Sequence, residues 1–235
     1  MTTGQVPTAN VGFRHFHEQL AELKQRLLDM SGRAEELIDL AVEALRDHDA
    51  GKAEAVIAHD PEIDALEIEI EQRAIALLAL QQPMAKDLRF IVGAIKISSD
   101  LERVGDHAVN IAQATLRLRG TSASLARSPA PEIDDMARRA RQMLGDSLDA
   151  FIRADGALGR AVCVSDDEVD ALHESVFRVL LTHMMENPTT ISAALQYMLV
   201  SRNLERVADL ATNIGEDAVF LAEGKQIKHH FEERG

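Results

Sequence analysis

The chain has 235 residues, a formal net charge of −14 and 46% hydrophobic residues, with aromatics at 3% and no Trp. That length permits one large or two small domains around an aliphatic core. The acid excess argues against a general nucleic-acid binder, which needs a basic surface. The single cysteine, Cys163, argues against a disulfide framework or a Cys-rich metal site and reads as a small apolar helix residue. A core of Leu, Ile, Val, Ala and Met with few Gly and Pro favours helices over strands.

Residues 1 to 12 are small, polar and unpatterned and are expected to form a disordered tail. They hold no basic segment followed by an apolar run, so they do not read as a signal peptide. No stretch approaches the roughly 20 apolar residues that span a bilayer, and a cytoplasmic protein is expected. Apolar residues then recur in steps of three and four from Phe16 through Leu20, Leu23, Leu27, Met30, Ala34, Leu37 and Ala41 to Leu45, which predicts a first long helix. His48–Gly51 reads as a turn. Asp49 is placed to cap a short helix over Ala50–Ala58. Asp60-Pro61 reads as an N-cap with Pro at the first helical position, opening a second long helix. Gln82-Pro83 marks the next boundary, and a third helix is expected from about Ala85 to Arg119. Gly120–Pro131, rich in Ser, Ala, Gly and Pro, reads as a linker.

Beyond the linker the plan repeats. Asp155 and the residues after it align with Asp49 and its followers, and Glu168-Val-Asp-Ala-Leu aligns with Glu62-Ile-Asp-Ala-Leu, both 106 residues later. Asn187-Pro188 matches Gln82-Pro83. The chain therefore reads as an all-α protein of two tandem three-helix bundles, residues 13–119 and 132–224, made by internal duplication. A polar tail, 225–235, closes it.

The same duplication carries the main candidate site. Asp100–Ala112, DLERVGDHAVNIA, returns as Asn203–Gly215, NLERVADLATNIG, and Glu102, Asp106 and Asn110 become Glu205, Asp209 and Asn213, each 103 residues on. Positions i, i+4 and i+8 share a helix face. Two carboxylates and an amide there are hard oxygen donors suited to Mg, Ca, Mn or Fe. The bland reading is a solvated acidic face in a chain with 39 acidic residues. Further ligands could come from first-helix positions: Asp39 and Glu43, matched in the second half by Gly145 and Asp149. Asp100 stands beside the first copy, and its counterpart is Asn203, so the first site is expected to be the acid-richer. Arg103 and Arg206, after each motif glutamate, read as salt-bridge partners of Asp100 and Asp106 and their equivalents. His107 and His173 read as ordinary, partly buried residues. No Glu-x-x-His pair of a di-iron bundle, no nucleophile elbow and no Gly-rich phosphate loop is present. Nothing argues for an enzyme, and direct phosphate binding is not expected.

These residues resemble the PhoU family of phosphate-signalling regulators. The resemblance rests on the two ExxxD copies, on Leu78–Arg89 (LALQQPMAKDLR), on Leu148–Phe151 (LDAF) and on the Gly224-Lys225 ending. It implies two three-helix bundles and a cytoplasmic negative regulator of phosphate uptake. It implies contact with the phosphate-specific ABC transporter and a sensor histidine kinase; the charge and hydropathy add the expectations of no nucleic acid and of membrane association only through partners. A homodimer is expected. Some members carry iron or zinc clusters on the ExxxD faces, which carries over to Glu102, Asp106, Glu205 and Asp209, with Asp39, Glu43, Asp100, Asn110, Asp149 and Asn213 as further candidates. The alternative is a metal-dependent or metal-storing helical bundle unconnected with phosphate.

Overall fold

The structure, a computed structural model, describes residues 9–119 and 130–227. Six long helices appear in order: α1 Ala9–Asp47, α2 Ala50–Gln81, α3 Ala85–Leu118, α4 Glu132–Arg153, α5 Gly156–Glu186 and α6 Ile191–Glu223, with a short 3-10 turn at Pro188–Thr190. No strand occurs among the described residues. The expected linker lies almost wholly outside them, as do residues 1–8 and 228–235. Residues 9–12, expected in the N-terminal tail, instead belong to α1. Among the described residues no helix is long and apolar enough to cross a membrane.

The apolar period of α1 is the reason it is a helix, and the same residues bury it: Leu23, Leu27, Met30, Ala34 and Ala41 are fully enclosed. The turn after it is built alike in both halves. His48 and Ala154 take the left-handed conformation at φ 51° and 52°. The carboxylates that follow them then cap the next helix. Asp49 accepts from the amides of Gly51 and Lys52 at 2.8 and 3.2 Å, and Asp155 from those of Ala157 and Leu158, both at 3.0 Å.

One expected boundary is absent. The helix expected to break at Asp60-Pro61 runs through as α2, with Pro61 inside it. An interior proline costs about 3 kcal/mol through its missing N–H and ring clash. Ala53 and Val56 before it and Ile63 and Ile70 after it all point into one core. Each large aliphatic so buried contributes about 1.5–3 kcal/mol, which outweighs the break. Pro61→Ala is expected to stabilise the protein by about 1–2 kcal/mol, part of the relief being offset by a freer unfolded chain. Urea unfolding followed by far-UV circular dichroism measures it.

α1, α2 and α3 pack into one bundle and α4, α5 and α6 into a second. The bundles meet through α3 against α6 and α1 against α4, and a single hydrophobic cluster runs through both. α3 and α6 are antiparallel. Arg89 Nη2 donates to the carbonyl of Leu221 at 3.4 Å. Lys96 Nζ reaches Asp217 at 3.1 Å, and the Asp217 side chain is 8% exposed. His107 Nδ1 lies 2.9 Å from Asn203 Oδ1. Near one end of this junction the Phe151 ring of α4 stacks on Phe90 of α3, with centroids 5.0 Å apart. Gly93 makes room for it, since a Cβ there would lie 2.6 Å from the ring.

The second bundle has its own close crossing. A Cβ on Gly159 would stand 2.6 Å from the backbone carbonyl oxygen of Gly215, so α5 and α6 touch backbone to backbone. Cys163 lies buried beside it, its thiol donating to the Thr212 carbonyl at 3.8 Å. Gly159→Ala is expected to cost about 1–3 kcal/mol despite the better helix propensity of Ala, because a helix backbone cannot step aside. Gly105→Ala is the control. Its Cβ would meet side chains rather than backbone at closest approach, Asp60 Oδ1 at 3.0 Å and Ile63 Cδ1 at 3.1 Å. It should change stability by less than about 1 kcal/mol in the same urea titration.

Candidate functional site

Glu102 and Asp106 leave α3 toward α2, and a second row of carboxylates meets them there: Asp60, Asp64 and Glu67. Burial, then Asp106, then Glu67, Asp64 and Asp60 all push the Glu102 carboxyl above its usual range. Asp60 is pushed up by burial and by Asp64 and Asp106. The second half repeats the arrangement with Asp166 and Asp170 on α5 facing Glu205 and Asp209 on α6. Burial, reinforced by Asp170, Asp209, Asp167 and Glu205, pushes Asp166 up to about 7. Asp170 and Glu205 are raised too, burial leading in each, with His173 opposing both and Arg206 also opposing Glu205.

The sequence reading found the α3 and α6 half of each face and missed the α2 and α5 half. The signal was present. Asp60 and Asp166, and Asp64 and Asp170, stand 106 residues apart, the offset that aligned these helices. Local sequence makes Asp60 a helix cap, but α2 runs on through Pro61 and the Asp60 side chain joins the face.

Five carboxylates make the first face, and among the described residues none of Asp60, Asp64, Glu67, Glu102 and Asp106 forms a salt bridge. The second face also gathers five carboxylates, Asp166, Asp167, Asp170, Glu205 and Asp209, and differs in its neighbours. His173 replaces Glu67, with its Nδ1 2.6 Å from Ser201 Oγ. Arg206 binds Asp209 at 2.7 Å and approaches Glu205 at 3.4 Å. Arg103, its counterpart, turns to Asp100 at 3.5 Å. By count of carboxylates the first site is not the acid-richer that was expected; the faces differ in that Arg206 pairs with acids of the second, whereas Arg103 turns aside to Asp100.

The helix-1 candidates do not join these faces. Asp39 pairs with Arg141 across the α1–α4 contact at 3.4 Å, Glu43 with Lys52 at 3.0 Å, and Asp149 with Arg153 at 3.0 Å. Asp39 and Asp149 act instead on Glu35, whose carboxyl is raised chiefly by burial. That flank of α1 packs on the other bundle, so its acids face α4. Asn110 also departs from the face. Each four-residue step turns a helix about 40° past a full circle, so two steps carry Asn110 about 80° from Glu102, toward the side of Arg103. It lines a groove between α3 and α6. Asn213, its counterpart, is half-buried.

Among the described residues no three His, Cys, Asp or Glu side chains converge as a ready-made metal cage. The faces offer carboxylates in opposed rows, of which Asp60, Glu102, Asp166, Asp170 and Glu205 are raised first by burial and then by their acidic neighbours. That donor set fits a hard cation that keeps water in part of its shell.

The raised Asp166 has a consequence for metal-free protein. A carboxyl with an ordinary unfolded pKa of about 3.9 and a folded one of about 7 favours the native state while protonated. That contribution is complete below pH 4 and is lost as pH rises through 7. In chelator, the melting temperature should fall between pH 5 and pH 8. Asp166→Asn should reduce that fall and gain about 1 kcal/mol at pH 8, after allowance for solvent screening. Thermal melts at the two pH values check it.

Comparison with known proteins bears on what these faces belong to. A family described as the PhoU domain matches residues 27–115 and again 133–218. A relative from Clostridium acetobutylicum, "Phosphate-specific transport system accessory protein PhoU homolog", is 40% identical over 213 residues, 90% of this chain and 96% of its own. A protein of the same description from Aquifex aeolicus is 41% identical over 219 residues, covering 93% and 98%. The crystal structure of PhoU from Pseudomonas aeruginosa superposes with a TM-score of 0.83 at 35% identity, covering 89% of this chain and 100% of that one. The phosphate transport system regulatory protein PhoU from Streptococcus pneumoniae gives 0.81 at 30% identity, covering 90% and 98%. A twice-matched domain, relatives aligned end to end and a shared six-helix architecture leave one assignment: this chain belongs to the PhoU family, a family of regulatory accessory proteins and not of enzymes.

Proposed function

We propose that this protein is a cytoplasmic negative regulator of phosphate uptake and of the phosphate-starvation response. It works by contact with the phosphate-specific ABC transporter and with a sensor histidine kinase, as a homodimer, and reaches the membrane only through them. The observation that carries this reading is the end-to-end match to accessory proteins of phosphate-specific transport, in which each copy of the matched domain keeps its carboxylate face.

We infer further that the faces hold metal ions. Glu102, Asp106, Asp60 and Asp64 would do so in the first half, and Glu205, Asp209, Asp166 and Asp170 in the second. A bound cation would offset the repulsion among these carboxylates. Asp64, Asp106 and Asp170 are solvent-exposed. That supports a surface read by partners over the interior of a metal store or enzyme. Exposed apolar side chains give partners further area. Met84 is 80% exposed and Leu80 73%, with Leu88 and Val92 nearby on α3 and Ile191, Leu195 and Leu199 on α6.

Direct binding tests the partner claim. The purified full chain is titrated against the transporter's ATPase subunit and against the cytoplasmic region of the kinase from the native host, with and without Mg, Mn, Fe or Zn. Binding to at least one is expected. No binding to either under any metal condition would overturn the proposal.

A further inference from the structure

We propose that the groove between α3 and α6 is a binding site for a small, elongated anion carrying two or more phosphoryl groups. The groove has a volume of about 540 Å³ and is walled by Arg103, Asn110 and Arg117 from α3 and by Arg202, Asn203 and Arg206 from α6. That volume falls in the roughly 300–1,000 Å³ range of ligand sites. In a chain with 39 acidic residues against 25 basic ones, four guanidiniums share this groove and no carboxylate lines it.

Two of the four are not spent on ion pairs. Among the described residues Arg202 makes no hydrogen bond or salt bridge, and Arg117 contacts only the Gln113 amide, at 3.4 Å. Nor are these two inherited with the duplication. Arg103 and Arg206 are equivalents, but Arg117 corresponds to Phe220 and Arg202 to Ser99. The groove is therefore a feature of the joined molecule, formed only where the two bundles meet. Its floor is fixed by the His107–Asn203 contact at 2.9 Å.

The shape narrows the ligand. Arg103 and Arg117 are 14 residues apart on α3, about 21 Å along the axis. A row of that length outspans one orthophosphate and suits a chain of phosphoryl groups, each met by a planar guanidinium fork. Amides from Asn110 and Asn203 add donors. Leu199 is the one large apolar side chain in the lining, which offers little to anchor a peptide. No Phe, Tyr or Trp lines the groove, its one ring, His107, is held by Asn203, and the net charge of −14 repels a long polynucleotide. The Gly-rich loop that the sequence lacks is not needed, because side chains of two helices supply the donors.

Calorimetry with inorganic tripolyphosphate, in chelator and at low salt, tests this. Wild-type protein is expected to bind it at least tenfold tighter than orthophosphate or an oligoglutamate of equal charge. The Arg117→Gln/Arg202→Gln variant, shown folded by circular dichroism, should bind at least tenfold more weakly than wild type. Arg138→Gln/Arg178→Gln, which removes two exposed arginines of α4 and α5, should bind as wild type does. Glu102→Gln/Asp106→Asn should also keep its affinity, so the result stands or falls apart from the metal reading. Failure of wild type to bind, or undiminished binding by the groove variant, would overturn the proposal. Equal affinity for orthophosphate would do the same. Equal or tighter binding of oligoglutamate would make the groove a surface for acidic peptides instead.

Discussion

A variant carrying Glu102→Gln, Asp106→Asn, Glu205→Gln and Asp209→Asn is expected to lose metal and gain stability. The amides keep the shape of the side chains and remove the anionic oxygens that hard cations need. Affinity for Mn or Fe should fall by two orders of magnitude or more, well beyond the 10–100-fold typical of disturbing residues that merely orient ligands. In chelator the same variant should be more stable than wild type at pH 8 by about 1–2 kcal/mol. Each like-charge pair costs a few tenths on an exposed face and more where burial raises the carboxyls. Metal content after purification without chelator, and thermal melts with and without added metal, read the two effects. An acidic face that is only solvated would show the gain in stability with no difference in metal content.

Phe151→Ala should have the largest effect on the fold, about 3–5 kcal/mol. The ring is fully buried, stacks on Phe90 and fills the notch that Gly93 leaves, so its loss opens a cavity where the two bundles join. Adding Gly93→Ala tests the geometry. Alone, that methyl is driven into the ring and destabilises. In the Phe151→Ala background it enters the vacated space. The double variant should therefore be at least 1 kcal/mol more stable than the sum of the singles predicts. Denaturant titrations of the four proteins form the cycle.

Much of the architecture was legible in the residues. The apolar period marked α1, the Asp49 and Gln82-Pro83 signals marked its neighbours, and the 103 and 106 offsets revealed the duplication. Pro61 misled because local chemistry argues for a helix start, whereas burial on both sides of it keeps α2 continuous. That one error hid Asp60, since it made that residue a cap. The helix-1 candidates failed for another reason. Helical spacing tells which residues share a face, but not which neighbour that face meets, and Asp39 meets Arg141 of the other bundle. The arginine groove was illegible for the same reason, its two walls lying about 100 residues apart.

The most direct measurement is made in the native host. The gene is deleted and a phosphate-starvation reporter is followed in ample phosphate, with complementation by wild type and by the four-carboxylate variant. The reporter should rise to its starved level in the deletion, return to baseline with wild type, and stay high with the variant. A reporter that remains at baseline in the deletion would contradict the proposal that this protein is a negative regulator of the phosphate response.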